Sequence, residues 1–444
     1  MTYDAVFYSR MLTSVTLGFH IIFATIGVGL PFFIAIAEWL GIKRNDPDFT
    51  MMARRWSRAF TITVAVGVVT GTSIGMQLNL LWPTFMKVAG QIIALPLFME
   101  TFAFFVEAIF LGIYLYTWNR FKNPYIHVLL LVPVVLGSTL SAFFITTVNA
   151  FMNAPQGFAL ENGVLTNLDP LAAMFNPATP TKGAHVINTA FLTSAFIIAC
   201  GVAWGMLKGR VTPYAKKALK LTLSAALVFS ISTIIIGDLS GKYLAAYQPV
   251  KLAAAEWHFN TEEHASLYVG GVLDAQKQEI KYALELPWML SILVGHVPST
   301  IVQGLNDFPK DLHPPLFIHY LFDSMVSLGM YLFSVSLLYV IALWRKWSWV
   351  LDRKWFYVLV VFGGPFAMLA IEFGWVFAEI GRQPWILVGY LKTNHAATTS
   401  PHVDKMLILF IALYTVLGTT AVIVLRKLFK RLNATPDATI EVHK

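Results

Sequence analysis

The feature that most constrains this chain is a series of long apolar runs, each near or above the ~20 residues that a helix needs to cross a membrane. Nine can be read along it, near 13–40, 57–82, 93–117, 125–150, 184–207, 218–239, 316–344, 355–380 and 404–426. The runs are long and unbroken, which predicts a bundle of transmembrane helices rather than a barrel of short alternating strands. The expected class is therefore an all-α polytopic membrane protein with nine spans. Composition agrees. The chain is 57% hydrophobic and only 13% charged, where a soluble domain is about a quarter charged. The one cysteine, Cys200, falls within a run, so disulfides and thiolate metal clusters are excluded. The opening MTYDAVFYSRM has neither a basic n-region nor a small-residue cleavage site, so no cleaved signal peptide is expected.

The formal net charge is +8, which suggests a nucleic-acid partner. That reading fails on distribution, because the basic residues gather at span ends. They concentrate in the segments 41–58, 118–124, 207–220, 344–355 and the C-terminal tail, alternating with poorer ones. The positive-inside rule then puts the C-terminus in the cytoplasm and, with nine spans, the N-terminus outside. The expected organisation is six spans over 1–239, an extracellular loop over 240–315, three spans over 316–426 and a cytoplasmic tail over 427–444. The long loop mixes charge, proline and aromatics and reads as functional. The 150–183 connection reads as a plain loop.

Ionisable groups inside spans are costly, and each is a functional-site hypothesis by default. One stretch concentrates them: Gly374-Trp375-Val376-Phe377-Ala378-Glu379-Ile380-Gly381-Arg382-Gln383-Pro384-Trp385. The bland alternative is a helix end whose polar groups face headgroups, with tryptophans as anchors. On the predicted topology His20 lies about two turns into span 1, His185 opens span 5, and Met325 lies two to three turns into span 7. Glu379 ends span 8, with Glu372 two turns deeper. Glu100 and Glu107 lie seven residues apart on one face of span 3. All gather in the outer half of the bilayer. A membrane His or Met is commonly a packing residue, but His, Met and carboxylate at one depth also suit haem iron, since axial His with Met gives a six-coordinate haem. His127 reads as interfacial, and the remaining histidines, including His258 and His319, as solvated or structural. A multi-span transporter using Glu100, Glu107 and Glu379 as proton sites stays open as the alternative.

Four motifs carry a family resemblance. They are Ser9-Arg10 with Gly18-Phe19-His20, then Ala103-Phe104-Phe105-Val106-Glu107, then Gly237-Asp238-Leu239-Ser240-Gly241-Lys242 with Gln248-Pro249-Val250-Lys251-Leu252-Ala253-Ala254-Ala255-Glu256, and last the GWVFAEIGRQPW stretch. Along nearly its whole length the chain resembles subunit I of cytochrome bd quinol oxidase. The resemblance implies a bacterial cell-membrane enzyme that oxidises quinol outside, reduces O2 to water with protons from the cytoplasm, and builds a proton motive force without pumping. It implies haem b558, haem b595 and haem d. His185 and Met325 match the ligands of the low-spin haem b558. His20 matches the ligand of haem d, and Glu379 that of high-spin haem b595. Lys251 and Glu256 match quinol-site residues, and Glu100 and Glu107 match proton-delivery residues. Trp375 and Arg382 match residues beside the haems, and Ser141 and Asn149 would continue a polar path. Implied partners are subunit II, quinol, O2 and lipid, with room for a small accessory single-helix subunit and none for nucleic acid. Two features depart from the pattern. Asp323 stands where some relatives carry Arg two residues before the Met ligand, and Glu100 and Glu107 are seven rather than eight apart.

Overall fold

The computed structural model describes residues 3–161 and 164–434. Among these, nine helices are long and apolar enough to cross a membrane. In chain order the helices are α1 (Ala5–Arg44), α2 (Pro47–Leu81), α3 (Pro83–Tyr116), α4 (Pro124–Leu129) and α5 (Leu131–Asn153), which together form one span, α6 (Pro170–Met174), α7 (Thr179–Leu207), α8 (Pro213–Tyr247), α9 (Pro249–Ala255), α10 (Met289–Gly295), α11 (Ile318–Arg345), α12 (Ser348–Leu351), α13 (Lys354–Ile380), α14 (Thr393–Ala396) and α15 (Val403–Ala434). Residues 435–444, the end of the expected tail, lie outside the described residues.

Several starts are written in local sequence. Asp46-Pro47, Asn123-Pro124 and Thr212-Pro213 each place a capping side chain before a proline at the first helical position. Asp4 caps α1 by accepting from the amides of Val6 and Phe7, and Asn45 closes it in a left-handed conformation. The helices run past the apolar runs. At 40 residues, α1 is about 60 Å long, twice the ~30 Å hydrocarbon thickness. It begins at Ala5 rather than near 13, and α8 continues to Tyr247 rather than stopping at 239. Hydropathy does not register polar helix ends.

In the packing, α13 lies between α7 and α11, α1 pairs with α2 and also meets α7, and α3 pairs with α5. A large core joins Phe33, Phe60, Tyr114, Phe196 and Phe356 toward one end of the bundle. A second, around Ala253, Trp257, Leu305 and Phe377, ties the long connection to the opposite end of α13. That connection is ordered. It holds α9 and α10, and β3 (Leu267–Val269) pairs antiparallel with β6 (Leu284–Leu286) around the β4 (Val272–Asp274) and β5 (Glu279–Lys281) hairpin. The 150–183 connection is not a plain loop. It contains an antiparallel pair of β1 (Ala159–Glu161) and β2 (Val164–Thr166), with residues 162 and 163 outside the described residues, followed by α6. After α13, β7 (Trp385–Leu387) pairs with β8 (Leu391–Lys392).

Candidate functional site

The end of α13 carries Glu379, whose two oxygens are both engaged. Oε1 accepts from Asn149 Nδ2 at 2.5 Å and Oε2 from Arg382 Nη2 at 2.6 Å. Asn149 sits on α5, and its Oδ1 accepts from Lys182 Nζ of α7 at 3.0 Å. Asn153, one turn on, donates to the Asn149 carbonyl and itself accepts from Gln248. Lys251 of α9 reaches in from the long connection. Its Nζ donates to the Ala378 carbonyl at 3.1 Å and lies 4.7 Å above the Phe377 ring. Gly381 permits this approach, because a Cβ there would meet Lys251 Cε at 2.6 Å. Three basic side chains thus gather at this carboxylate, Arg382 bonded to it and Lys182 and Lys251 to its neighbours, and Arg382 Nε and Nη1 are buried without partners among the described residues. Buried polar groups are normally paired. Unpaired guanidinium donors in a cation-rich pocket suit an acidic group, such as a macrocycle's propionate.

His20, on α1, hydrogen-bonds through Nδ1 to Thr70 Oγ1 at 2.8 Å. Thr70 spends its own proton on the Val66 carbonyl, so its oxygen receives and Nδ1 carries the hydrogen. That tautomer leaves the Nε2 lone pair for a ligand bond, with Thr70 orienting the ring. Gly71 faces the same ring, and a Cβ there would lie 3.3 Å from its Cε1. His185, on α7, has a buried Nδ1 with no partner among the described residues. Met325, on α11, rests its sulfur on Gly374, where a Cβ would stand 3.0 Å away. Both helices flank α13.

Along α13, Arg382 and Lys251 work at the level of Glu379. Met325 meets Gly374 five residues down, and Gly18 faces the Glu372 carboxylate seven residues down. The candidates are staggered over about 10 Å. His20 lies about four turns from the start of α1, which begins earlier than its apolar run.

The acidic pair of α3 also finds partners. Ser141 Oγ of α5 donates to Glu100 Oε1 at 3.0 Å. Glu107 is buried, and α5 passes so close that a Cβ on Gly137 would lie 2.9 Å from the Glu107 amide nitrogen. One helix, α5, therefore bonds to Glu100 through Ser141 and to Glu379 through Asn149. Lys251 and Glu256 are buried too, rather than displayed on a solvated loop. Burial draws the Lys251 ammonium down to about 7, with Arg382 pushing the same way and Glu379 opposing. Burial lifts Glu256 to about 8, with nearby His319 opposing and Asp323 adding.

Comparison with known proteins settles the lineage. A family model described as cytochrome bd terminal oxidase subunit I matches residues 8–433. The chain belongs to the cytochrome bd terminal oxidase subunit I family. It is 43% identical to a putative cytochrome bd menaquinol oxidase subunit I of Bacillus subtilis, covering 96% of this chain and 97% of that one. It is 31% identical to the cytochrome bd ubiquinol oxidase subunit 1 of the same organism, covering 93% and 91%. A solved bd oxidase from Geobacillus thermodenitrificans superposes with a TM-score of 0.93 at 59% identity, covering 97% of this chain and 99% of that one. The chain is accordingly a subunit of a quinol oxidase, a multi-pass protein of the bacterial cytoplasmic membrane, and the family implies haem and a second subunit. The transporter alternative falls.

The residues present fit haem. Among the described residues no three His, Cys, Asp or Glu side chains converge as a bare metal site would require. Instead the candidates arrive singly from separate helices, as axial ligands do. Trp375 makes no polar contact among the described residues, and its place beside the haems stays an expectation. Sequence reasoning missed Lys182 and Asn153 and gave Gln248 no role beyond its place in a motif; all three lie in connections or at helix ends where polarity is unremarkable. It also misplaced His127, which is buried rather than interfacial and bonded to Glu38. The signal was available in Glu38, an unclaimed carboxylate inside the first span. His319 is structural, as expected. It is fully buried, stacked 3.8 Å from Trp257, and bonded to the Ala255 and Gly270 carbonyls. Asp323 pairs with it and accepts from the Gly270 amide, which occupies this carboxylate where some relatives carry Arg.

Proposed function

We propose that this subunit oxidises quinol at the end of the bundle bearing Glu379 and takes the protons for water from the opposite, cytoplasmic end. When bound, the haems carry electrons from quinol to O2. His185 and Met325 would hold low-spin haem b558, Glu379 haem b595 and His20 haem d, with Arg382 and its neighbouring lysines meeting propionates. Lys251 would orient a quinol oxygen. Glu256 would take its proton as general base, and a value near 8 suits that work close to neutral pH. The released protons leave on the outside, so charge crosses the membrane without a pump.

The observation that supports inward proton delivery most is the bridge made by α5. Ser141 binds Glu100 and Asn149 binds Glu379, so one helix lines a polar route from the α3 carboxylates toward the ligand region. Glu107 would load the proton and Glu100 pass it on. The test is Glu107→Gln in the purified oxidase. Turnover with O2 is expected to fall on the order of a hundredfold, while the reduced-minus-oxidised haem spectrum is unchanged. Wild-type turnover would remove Glu107 from the route.

A further inference from the structure

The other end of α3 carries a second buried polar group that none of these roles uses. Glu38 (3% exposed), on the last turns of α1, has both oxygens bonded. Oε1 lies 2.5 Å from His127 Nδ1, on α4, and Oε2 accepts the Tyr114 hydroxyl, on α3, at 2.6 Å. His127 Nε2 is 2.9 Å from the Tyr114 carbonyl. A carbonyl only accepts, so Nε2 carries a hydrogen. The contact between Nδ1 and Oε1 then needs one further proton, on either atom. A carboxylic acid facing neutral imidazole and a carboxylate facing imidazolium differ only in where that proton lies. The triad therefore holds one proton that can be given up and replaced.

Its position matters as much as its chemistry. Glu100, Glu107 and Tyr114 follow one another at seven-residue intervals on α3, so three proton-bearing side chains share one face, each about 10.5 Å from the next along the axis. Tyr114 ends the row nearest the 117–123 turn. Leu111 lies between Tyr114 and Glu107 and is buried, so water has to complete that step. On the other side one layer separates the triad from the aqueous phase. The Trp118 ring sits 4.5 Å from His127, and the Arg54 guanidinium of α2 lies 4.8 Å above Trp118 and bonds exposed Asn119. Arg54 is the charged neighbour of the triad, whose own titratable members are Glu38, His127 and Tyr114.

We propose that Glu38, His127 and Tyr114 form a proton-loading site at the end of the bundle opposite Glu379, supplying Glu107. The proposal rests on the inward-uptake reading above. With the shared proton on Glu38 and the Tyr114 hydroxyl turned so that its own hydrogen points along α3, the Tyr114 oxygen accepts the Glu38 proton as its hydrogen passes through water toward Glu107, and a proton from the cytoplasmic aqueous phase recharges the pair past Trp118 and Asn119. A merely structural triad would tie three helices together and leave proton transfer alone.

The experiment uses the complete purified oxidase, fully reduced and mixed with O2, with a pH-indicator dye and the haem spectrum followed together across pH. In Glu38→Gln and His127→Gln, proton uptake is expected to slow on the order of a hundredfold, with a changed pH profile, normal haem content and normal reduction by a chemical donor. Wild-type uptake per haem with an unchanged pH profile, even at lowered yield, overturns the proposal. Should neither variant assemble, Tyr114→Phe, which removes a single oxygen, supplies the answer, since slowed uptake supports the site and normal uptake refutes it. Glu107→Gln runs alongside. If it is slow and the triad variants are fast, only the loading site falls. If Glu107→Gln is itself fast, the uptake reading falls with it.

Discussion

The two buried polar clusters, one at each end of the bundle, are built on opposite plans. Around Glu379, Arg382 bonds the carboxylate while Lys182 and Lys251 stand beside it, bonded to Asn149 and to the Ala378 carbonyl, and two nitrogens of Arg382 find no partner among the described residues. Around Glu38, every side-chain polar atom of the triad is bonded within it or to backbone. Burying a charge is costly unless it is paired and hydrogen-bonded. The first cluster leaves buried donors that an acidic ligand would satisfy. The second is complete by itself, with one proton to share between Glu38 and His127. Unpaired buried donors are thus more informative about a ligand than the presence of charge alone.

The largest test of this contrast is Arg382→Leu. It removes the guanidinium that meets Glu379, and loss of one high-spin haem together with at least a ~100-fold fall in oxidase activity is expected, from spectra and O2 consumption of the purified complex. If the haems and activity survive, the pocket is not built around an acidic ligand. Lys182→Met should act in the same direction with about a tenfold effect, because Asn149 keeps its bond to Glu379 and loses only one donor.

The pH dependence of quinol oxidation separates the cap from the interior. Lys251 loses its charge as pH rises through about 7, and Glu256 gains one through about 8. A base works in its ionised form, so kcat/KM for quinol should rise from pH 7 to beyond 8. Glu256→Gln should lie low and flat over that range. A rise that persists in the variant assigns the base elsewhere. The smallest effect is expected from Gly374→Ala. The added methyl must displace the Met325 sulfur, at a cost of about 1–3 kcal/mol typical of overpacking. A shifted low-spin haem band with turnover within about threefold of wild type is the expected outcome. An unmoved band would separate Met325 from that haem.

The nine spans were legible because apolar runs of this length have one stable destination, and several helix starts were legible because a capping side chain preceded a proline. Helix ends were less so. The polar turns that carry α1 to Ala5 and α8 to Tyr247 are held by helix continuity and packing, which hydropathy does not record. Among site residues, Glu379 and Arg382 stood out together because they are three apart in sequence where α13 ends. The partners of Glu379 and Glu100 on α5 could be suspected but not paired, and Lys182 gave no sign.

The chain's own residues determined that this is a nine-span helical membrane protein and which histidines, methionine and carboxylates lie within its spans, since both follow from local composition and order. Tertiary packing alone decided that Asn149 bridges Lys182 and Glu379, that Lys251 folds back onto Ala378, and that His127 leaves the interface for Glu38. Each of those contacts joins residues dozens to hundreds of positions apart, and only the crossing of helices sets which polar groups meet out of reach of water.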